Sequence, residues 1–199
     1  MFPIMLDVSQ LNILLVGNGK QTSRRLSLLL ESGNIKRLKV YSEHPSKELE
    51  ARAGDYLVRG LPSEDEIRTF QVVMIVDIEE KKAADLANVA RKHHILTNVE
   101  DRRPYCDFFF ASLVRRGDLL LTVSTSGKSP TLAVKIKDLL SRAFTEDWVE
   151  KLRDIGNRRE EWKKQGLGYH EVKEQTEQFL EQEEWLGDNV CPRHRNTKG

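Results

Sequence analysis

The chain has 199 residues, 39% hydrophobic and 32% charged, with a formal net charge of +1; this suits one core with a small appended element and excludes compositional disorder. The near-neutral balance excludes a broadly basic nucleic-acid binder, and no apolar stretch approaches the roughly 20 residues of a membrane span. The start, MFPIMLDVSQ, lacks a basic region and a long apolar run, so no signal peptide is expected. The two cysteines, Cys106 and Cys191, lie far apart without a C-x-x-C pair, which fits a reducing cytoplasm better than a disulfide scaffold or thiolate metal site.

Residues 11–16 read as a short buried strand that runs into Gly17-Asn18-Gly19. Residues 22–31 read as a helix with Leu26, Leu29 and Leu30 on one side and Gly33 just past its end. A second strand is predicted at 38–41, a third in YLVRG from Tyr56, and a fully apolar fourth at 72–76. A helix over 79–92, a strand over 95–99 and a further strand over 119–124 follow. The alternation predicts an α/β fold: a Rossmann-like parallel sheet covered on both faces.

After Pro130 no strand signal returns, and a helical segment is expected over about 131–186, broken near Gly166-Leu167-Gly168. Trp148, Leu152 and Ile155 form a stripe at i, i+4, i+7 that must pack on something. Few apolar residues remain for an independent core, so an intertwined homodimer is the expected solution. The resulting division is a cofactor domain at 1–100, a dimerisation and active-site segment at 101–130, a helical domain at 131–187 and a disordered tail at 188–199.

In a nucleotide-binding turn of the G-x-G-x-x-G kind, the first glycine allows the tight turn, the second close approach of a pyrophosphate, and the third close helix–strand packing. Gly17 and Gly19 meet the first two needs, and Thr22 stands at the third position. Lys20 and Gln21 place amides at the helix N-terminus, where an anion is favoured. An ordinary strand–turn–helix is the competing reading. At the end of the second strand, VYSEHP offers Glu43 to a ribose without an adjacent Arg, which favours NAD over NADP; a surface loop residue is the alternative.

Two later stretches carry more. In LTNVED a strand ends where sheets of this kind open to ligands, with Glu100 and Asp101 at that edge. STSGKSP is a hydroxyl- and glycine-rich turn ahead of a helix, able to offer donors to an anion or simply to cap that helix. Between residues 101 and 142 there are eight Lys/Arg against four acids, whereas 160–184 runs acidic; most of these charges read as solvated faces, with a local basic field for an anionic ligand as the other reading of the first group. His93 and His94 read as a solvated pair, since neighbours at i, i+1 do not face one ligand, and no metal site is expected.

VGNGKQTSRR, NVED, FFFASLVRRGDLLLTVSTSGKSP and the helical tail past KKQGLGY together resemble the precorrin-2 dehydrogenase family, which includes the N-terminal domain of siroheme synthases, over about residues 3–180. The resemblance implies NAD-dependent oxidation of the tetrapyrrole precorrin-2 to sirohydrochlorin and, in some members, Fe²⁺ insertion. It assigns Asp101 as the catalytic aspartate and Gly17, Gly19, Lys20 and Gln21 to the phosphate turn. Glu43 and His44 fall to the ribose end, and Ser124, Thr125, Gly127 and Lys128 to a substrate loop. Two positions depart from the family: Thr22 replaces a small apolar residue, and MIVDIEE stands where a fourth strand commonly ends in A-T-D or A-T-N, so that Asp77 sits where a threonine or acid is expected and no hydroxyl is available. A C-terminal methyltransferase domain is not expected. A nucleotide-sensing module and a tetrapyrrole-binding scaffold without turnover are the alternatives.

Overall fold

The computed structural model describes residues 2–187; the tail expected at 188–199, with Cys191 and His194, lies outside the described residues. The chain divides into two compact units, residues 1–110 and 111–199.

In the first unit, β1 (Asn12–Gly17), β2 (Arg37–Ser42), β3 (Leu57–Arg59), β4 (Val72–Val76) and β5 (Leu96–Val99) form one sheet in the order β3-β2-β1-β4-β5. Every pairing is parallel, with Leu15 opposite Val40 on one side and Met74 on the other. The helices are α1 (Lys20–Leu30), α2 (Lys47–Ala53), α3 (Glu64–Ile67) and α4 (Glu80–Lys92). The strands are apolar without alternation because both faces are covered. Ile13, Leu15, Met74 and Val76 join Leu26 and Leu29 of α1 and Leu49 of α2 in one cluster. Leu14, Val16, Val73 and Ile75 join Ala83, Ala87 and Ala90 of α4 in the other. The period-2 exchange of faces is thus obeyed within runs that look uniform in sequence.

The segment after β5 belongs to this unit, not to a separate domain beginning at 101. Asp107 is pinned to β5, its carboxylate accepting the Thr97 amide at 2.9 Å and its own amide donating to the Thr97 carbonyl at 2.8 Å. The Cys106 thiol donates to the Val99 carbonyl at 3.1 Å, and Asn98 Nδ2 donates to the Phe108 carbonyl at 2.8 Å.

The second unit opens with an antiparallel hairpin, β6 (Ser112–Arg116) and β7 (Leu119–Val123), turning at Gly117 with φ 57°. Three helices follow: α5 (Pro130–Ala143), α6 (Trp148–Lys164) and α7 (Tyr169–Gln182). The helical stretch is therefore interrupted twice, at 144–147 as well as at the expected glycines. The α6 stripe finds cover within the chain: Trp148 and Ile155 are buried, as are Val172 and Phe179 of α7. Phe144, Trp148, Trp185 and Phe179 continue this as a chain of ring contacts with centroids 4.9–6.4 Å apart. On α5, Leu132, Val134 and Leu139 are exposed, with Leu132 and Leu139 two turns apart. Among the described residues no helix is long and apolar enough to cross a membrane.

Candidate active site

The parallel sheet brings the C-terminal ends of β1, β2, β4 and β5 to one edge, and the side chains at those ends make the site. At the end of β1, a Cβ on Gly17 would lie 2.2 Å from Thr22 Oγ1 and 2.3 Å from the Val76 carbonyl oxygen, so only glycine allows this crossing. Asn18 ties the turn to β2. Its Oδ1 accepts from Ser42 Oγ at 2.8 Å and the His44 amide at 3.1 Å, and its carbonyl accepts the Ser46 amide at 3.0 Å. Intrahelical bonding begins with Ser23 N to Gly19 O at 3.2 Å, so the amides of Lys20 and Gln21 lie ahead of it.

The third amide of that turn is taken. Asp77 Oδ2 accepts from Thr22 N at 2.8 Å and from Thr22 Oγ1 at 3.0 Å. The two family departures noted in the sequence, Thr22 and Asp77, are therefore one feature: donor and acceptor of the same contact. Thr22 is fully buried, and its hydroxyl would be a cost there without this partner. Asp77 reaches back to α1 because its backbone turns left-handed, φ 53°, a conformation Asp tolerates better than most residues.

At the end of β2 the carboxylate of Glu43 meets Lys82 of α4, whose Nζ lies 2.7 and 3.0 Å from its two oxygens. Sequence reasoning missed this cation, which sits 39 positions away. His44 is exposed and contributes its backbone amide to Asn18.

Between the ends of β4 and β5 lies a cleft of about 390 Å³ with Asp77, Glu100, Asp101 and Arg102 among its polar lining and Ile78 and Val99 among its apolar lining. Asp101 is exposed and left-handed, φ 56°. Glu100 is half-buried. Burial, and then the charge of Asp77, push its carboxyl above the usual range, against the hydrogen bond that it receives from the Asp77 amide. The cation facing Glu100 comes from α1: Arg25 is packed 3.6 Å over the Phe110 ring, and its own pKa is lowered by burial and opposed by Glu100. Of the arginines next to Asp101 in sequence, Arg102 pairs with Glu80 of the same cleft lining at 3.0 Å, and Arg103 lies over the Phe109 ring at 5.4 Å. Among the described residues no group of three or more His, Cys, Asp and Glu side chains is placed to hold a metal ion. His93, expected to be solvated, approaches Glu64 at 2.8 Å.

In the second unit, the loop after β7 is built by its own hydroxyls. Thr125 Oγ1 accepts the Ser129 amide at 3.1 Å and donates to the Ser129 carbonyl at 3.0 Å, while Ser124 Oγ accepts the Ser126 amide at 3.2 Å. Gly127 takes φ 80°, the Lys128 amide donates to the Thr125 carbonyl at 3.0 Å, and Ser129 caps α5 through the Leu132 amide. Of the basic residues expected to make a ligand field, Arg116 is committed to the end of α5, donating to the Phe144 carbonyl at 2.8 Å.

Residues 4–112 match the family described as "Putative NAD(P)-binding", and residues 116–143 match "Sirohaem biosynthesis protein central". Among curated proteins, the chain is 30% identical to siroheme synthase 1 of Serratia proteamaculans (strain 568), over 90% of this chain and 43% of that one. It is 27% identical to the siroheme synthase of Neisseria meningitidis serogroup C (strain 053442), over 95% and 42%. The chain thus spans about two fifths of the length of these relatives. A solved structure of SirC, precorrin-2 dehydrogenase, is similar in fold with a TM-score of 0.71 at 21% identity, covering 95% of this chain and 98% of that one.

The Glu100 environment predicts a pH signature. A carboxyl whose folded pKa is raised binds its proton more tightly folded than unfolded, so folding weakens as pH rises from the ordinary carboxylate range through the raised value. Glu100→Gln removes that penalty. The variant is expected to melt above the parent at pH 8 and level with it at pH 4, followed by circular dichroism; an equal gain at both pH values would show that ionisation is not the cause.

Proposed function

The chain belongs to the putative NAD(P)-binding family and is similar to siroheme synthases, and from that premise we propose that it oxidises precorrin-2 to sirohydrochlorin, with NAD as its cofactor, in siroheme biosynthesis. The observation that carries this reading is the meeting, at one sheet edge, of a glycine turn too tight for a side chain and a cleft lined by Asp101 and Glu100. The turn fits a dinucleotide: Gly17 allows the tight crossing, Gly19 stands where a pyrophosphate approaches, Lys20 and Gln21 offer amides to it, and Glu43 and His44 lie at the ribose end. NAD, when bound, accepts the hydride that leaves the substrate carbon. Asp101, exposed at the mouth of the cleft, takes the accompanying proton, and Glu100 beside it, with raised proton affinity, is the next group to hold it. In the second unit, Ser124, Thr125, Gly127 and Lys128 form the loop that we assign to the substrate's carboxylates, with the exposed Lys128 as the charged donor.

Asp101→Asn keeps the shape and removes the base. The expected outcome, read by anaerobic absorbance with precorrin-2 and NAD, is a fall in turnover of roughly a hundredfold or more, with NAD affinity retained. Near-normal turnover would place the base elsewhere. Fe²⁺ insertion into sirohydrochlorin, assayed on the same variant, divides two cases: its loss assigns both steps to one carboxylate, its survival separates them.

NAD is the cofactor we assign, because the Glu43 carboxylate suits a ribose hydroxyl better than a phosphate. Lys82 tempers this preference by placing a cation against Glu43. Titration calorimetry is expected to give tighter binding of NAD than of NADP, with the gap widening in Lys82→Ala. Equal or reversed affinities in the parent would remove Glu43 from the ribose role.

A homodimer is also proposed, now on α5 rather than on the α6 stripe: Leu132 and Leu139 are 50% and 58% exposed on one helix face. Light scattering at micromolar concentration should return twice the chain mass of 23.0 kDa, and the chain mass itself would refute it.

A further inference from the structure

Resting on the cofactor reading above, we infer that Asp77 is a built-in anion that competes with the dinucleotide pyrophosphate for the first turn of α1, and so sets the affinity for the cofactor. Gly19 is the second glycine of the turn, the one whose missing side chain admits a pyrophosphate. In this chain the space is already bordered by a carboxylate: a Cβ on Gly19 would lie 2.7 Å from Asp77 Oδ2 and 2.9 Å from its Cγ. The same oxygen holds the Thr22 amide and hydroxyl at 2.8 and 3.0 Å. A carboxylate in that place takes what a phosphate would use, namely an orphan amide and the positive end of an 11-residue helix. It also brings a like charge to where the doubly charged pyrophosphate must sit.

Asp77 is felt by Glu100, whose carboxyl it helps to push up, and the nearby cation Arg25 is directed to Glu100 and the Phe110 ring. The amides of Lys20 and Gln21 remain ahead of the first intrahelical bond, so the dinucleotide has donors to use, but uses them beside a carboxylate. Affinity is then a balance between those amides and Asp77, and a neutral acceptor at position 77 should shift it toward the ligand. Asn keeps an oxygen for Thr22; Thr keeps a hydroxyl.

The experiment is calorimetric titration of the parent, Asp77→Asn and Asp77→Thr with NAD, ADP-ribose and adenosine. The expected result is a tightening of roughly tenfold or more for NAD and ADP-ribose in both variants, with adenosine unchanged. The adenosine arm separates charge from shape, since adenosine carries no pyrophosphate. Tightening of all three ligands alike would overturn the inference in favour of a reshaped pocket. Parent and folded variants binding NAD equally, or variants binding it more weakly, would overturn it alone and leave the cofactor reading standing. Failure of parent and variants to bind any dinucleotide would remove both.

Discussion

The contact between Thr22 and Asp77 organises the sheet edge around it. It joins the first turn of α1 to the residue after β4 across a gap that Gly17 and Gly19 leave open, and each of those glycines faces one of its two partners. A side chain at Gly17 would overlap Thr22 and the β4 backbone, the kind of overpacking that costs about 1–3 kcal/mol where a core cannot yield. At the end of β5, burial and then the charge of Asp77 push Glu100 toward its neutral form. Arg25 follows Thr22 by three positions on α1, hence on the same helix face, and it supplies the charge that answers Glu100. One hydrogen-bonded pair thus ties the first turn of α1 to the strand end beside the cleft.

Four carboxylates line this edge, and their neighbours give them different properties. Glu43 is neutralised from α4 by Lys82. Asp77 is consumed by amide and hydroxyl donors. Glu100 is half-buried among like charges, and Asp101 is exposed with no comparable restraint. Burial and like charge raise the proton affinity of Glu100 beside the exposed Asp101, the arrangement on which the acid–base role proposed for this edge rests.

The sequence made the sheet legible because its strands are short apolar runs stopped by glycine or by charge, and because helix and strand alternate. It located β4 to the residue and β1, β2 and β5 within a residue or two. It did not disclose α2 and α3, which are one to two turns long and carry too few apolar residues for a period to appear. Nor did it disclose β6, whose five residues follow an aromatic run and end in two arginines. The pairs that define the site were illegible for another reason. Thr22 meets Asp77 over 55 positions and Glu43 meets Lys82 over 39, and no local pattern marks either one. Position by position, the first looked like two unrelated departures; only the parallel register puts them face to face.

The second unit follows a different logic, in which the hydroxyls that look available are the ones already used. Thr125 and Ser129 close the loop on each other, and Ser124 holds the amide of Ser126. A loop rich in serine and threonine need not present hydroxyls to a ligand; here the hydroxyls fix a backbone in which Ser126 and Gly127 are both left-handed. The amides of Ser126, Lys128 and Ser129 are spent inside the loop as well. The Lys128 side chain is exposed beside them. The substrate role proposed for this loop would therefore rest on the Lys128 charge, with the hydroxyls and those amides serving as scaffold. The same economy explains Arg116, which looked like part of a ligand field and instead closes the end of α5. Residue type shows what a position is able to bond; the fold decides which bonds are left for a ligand.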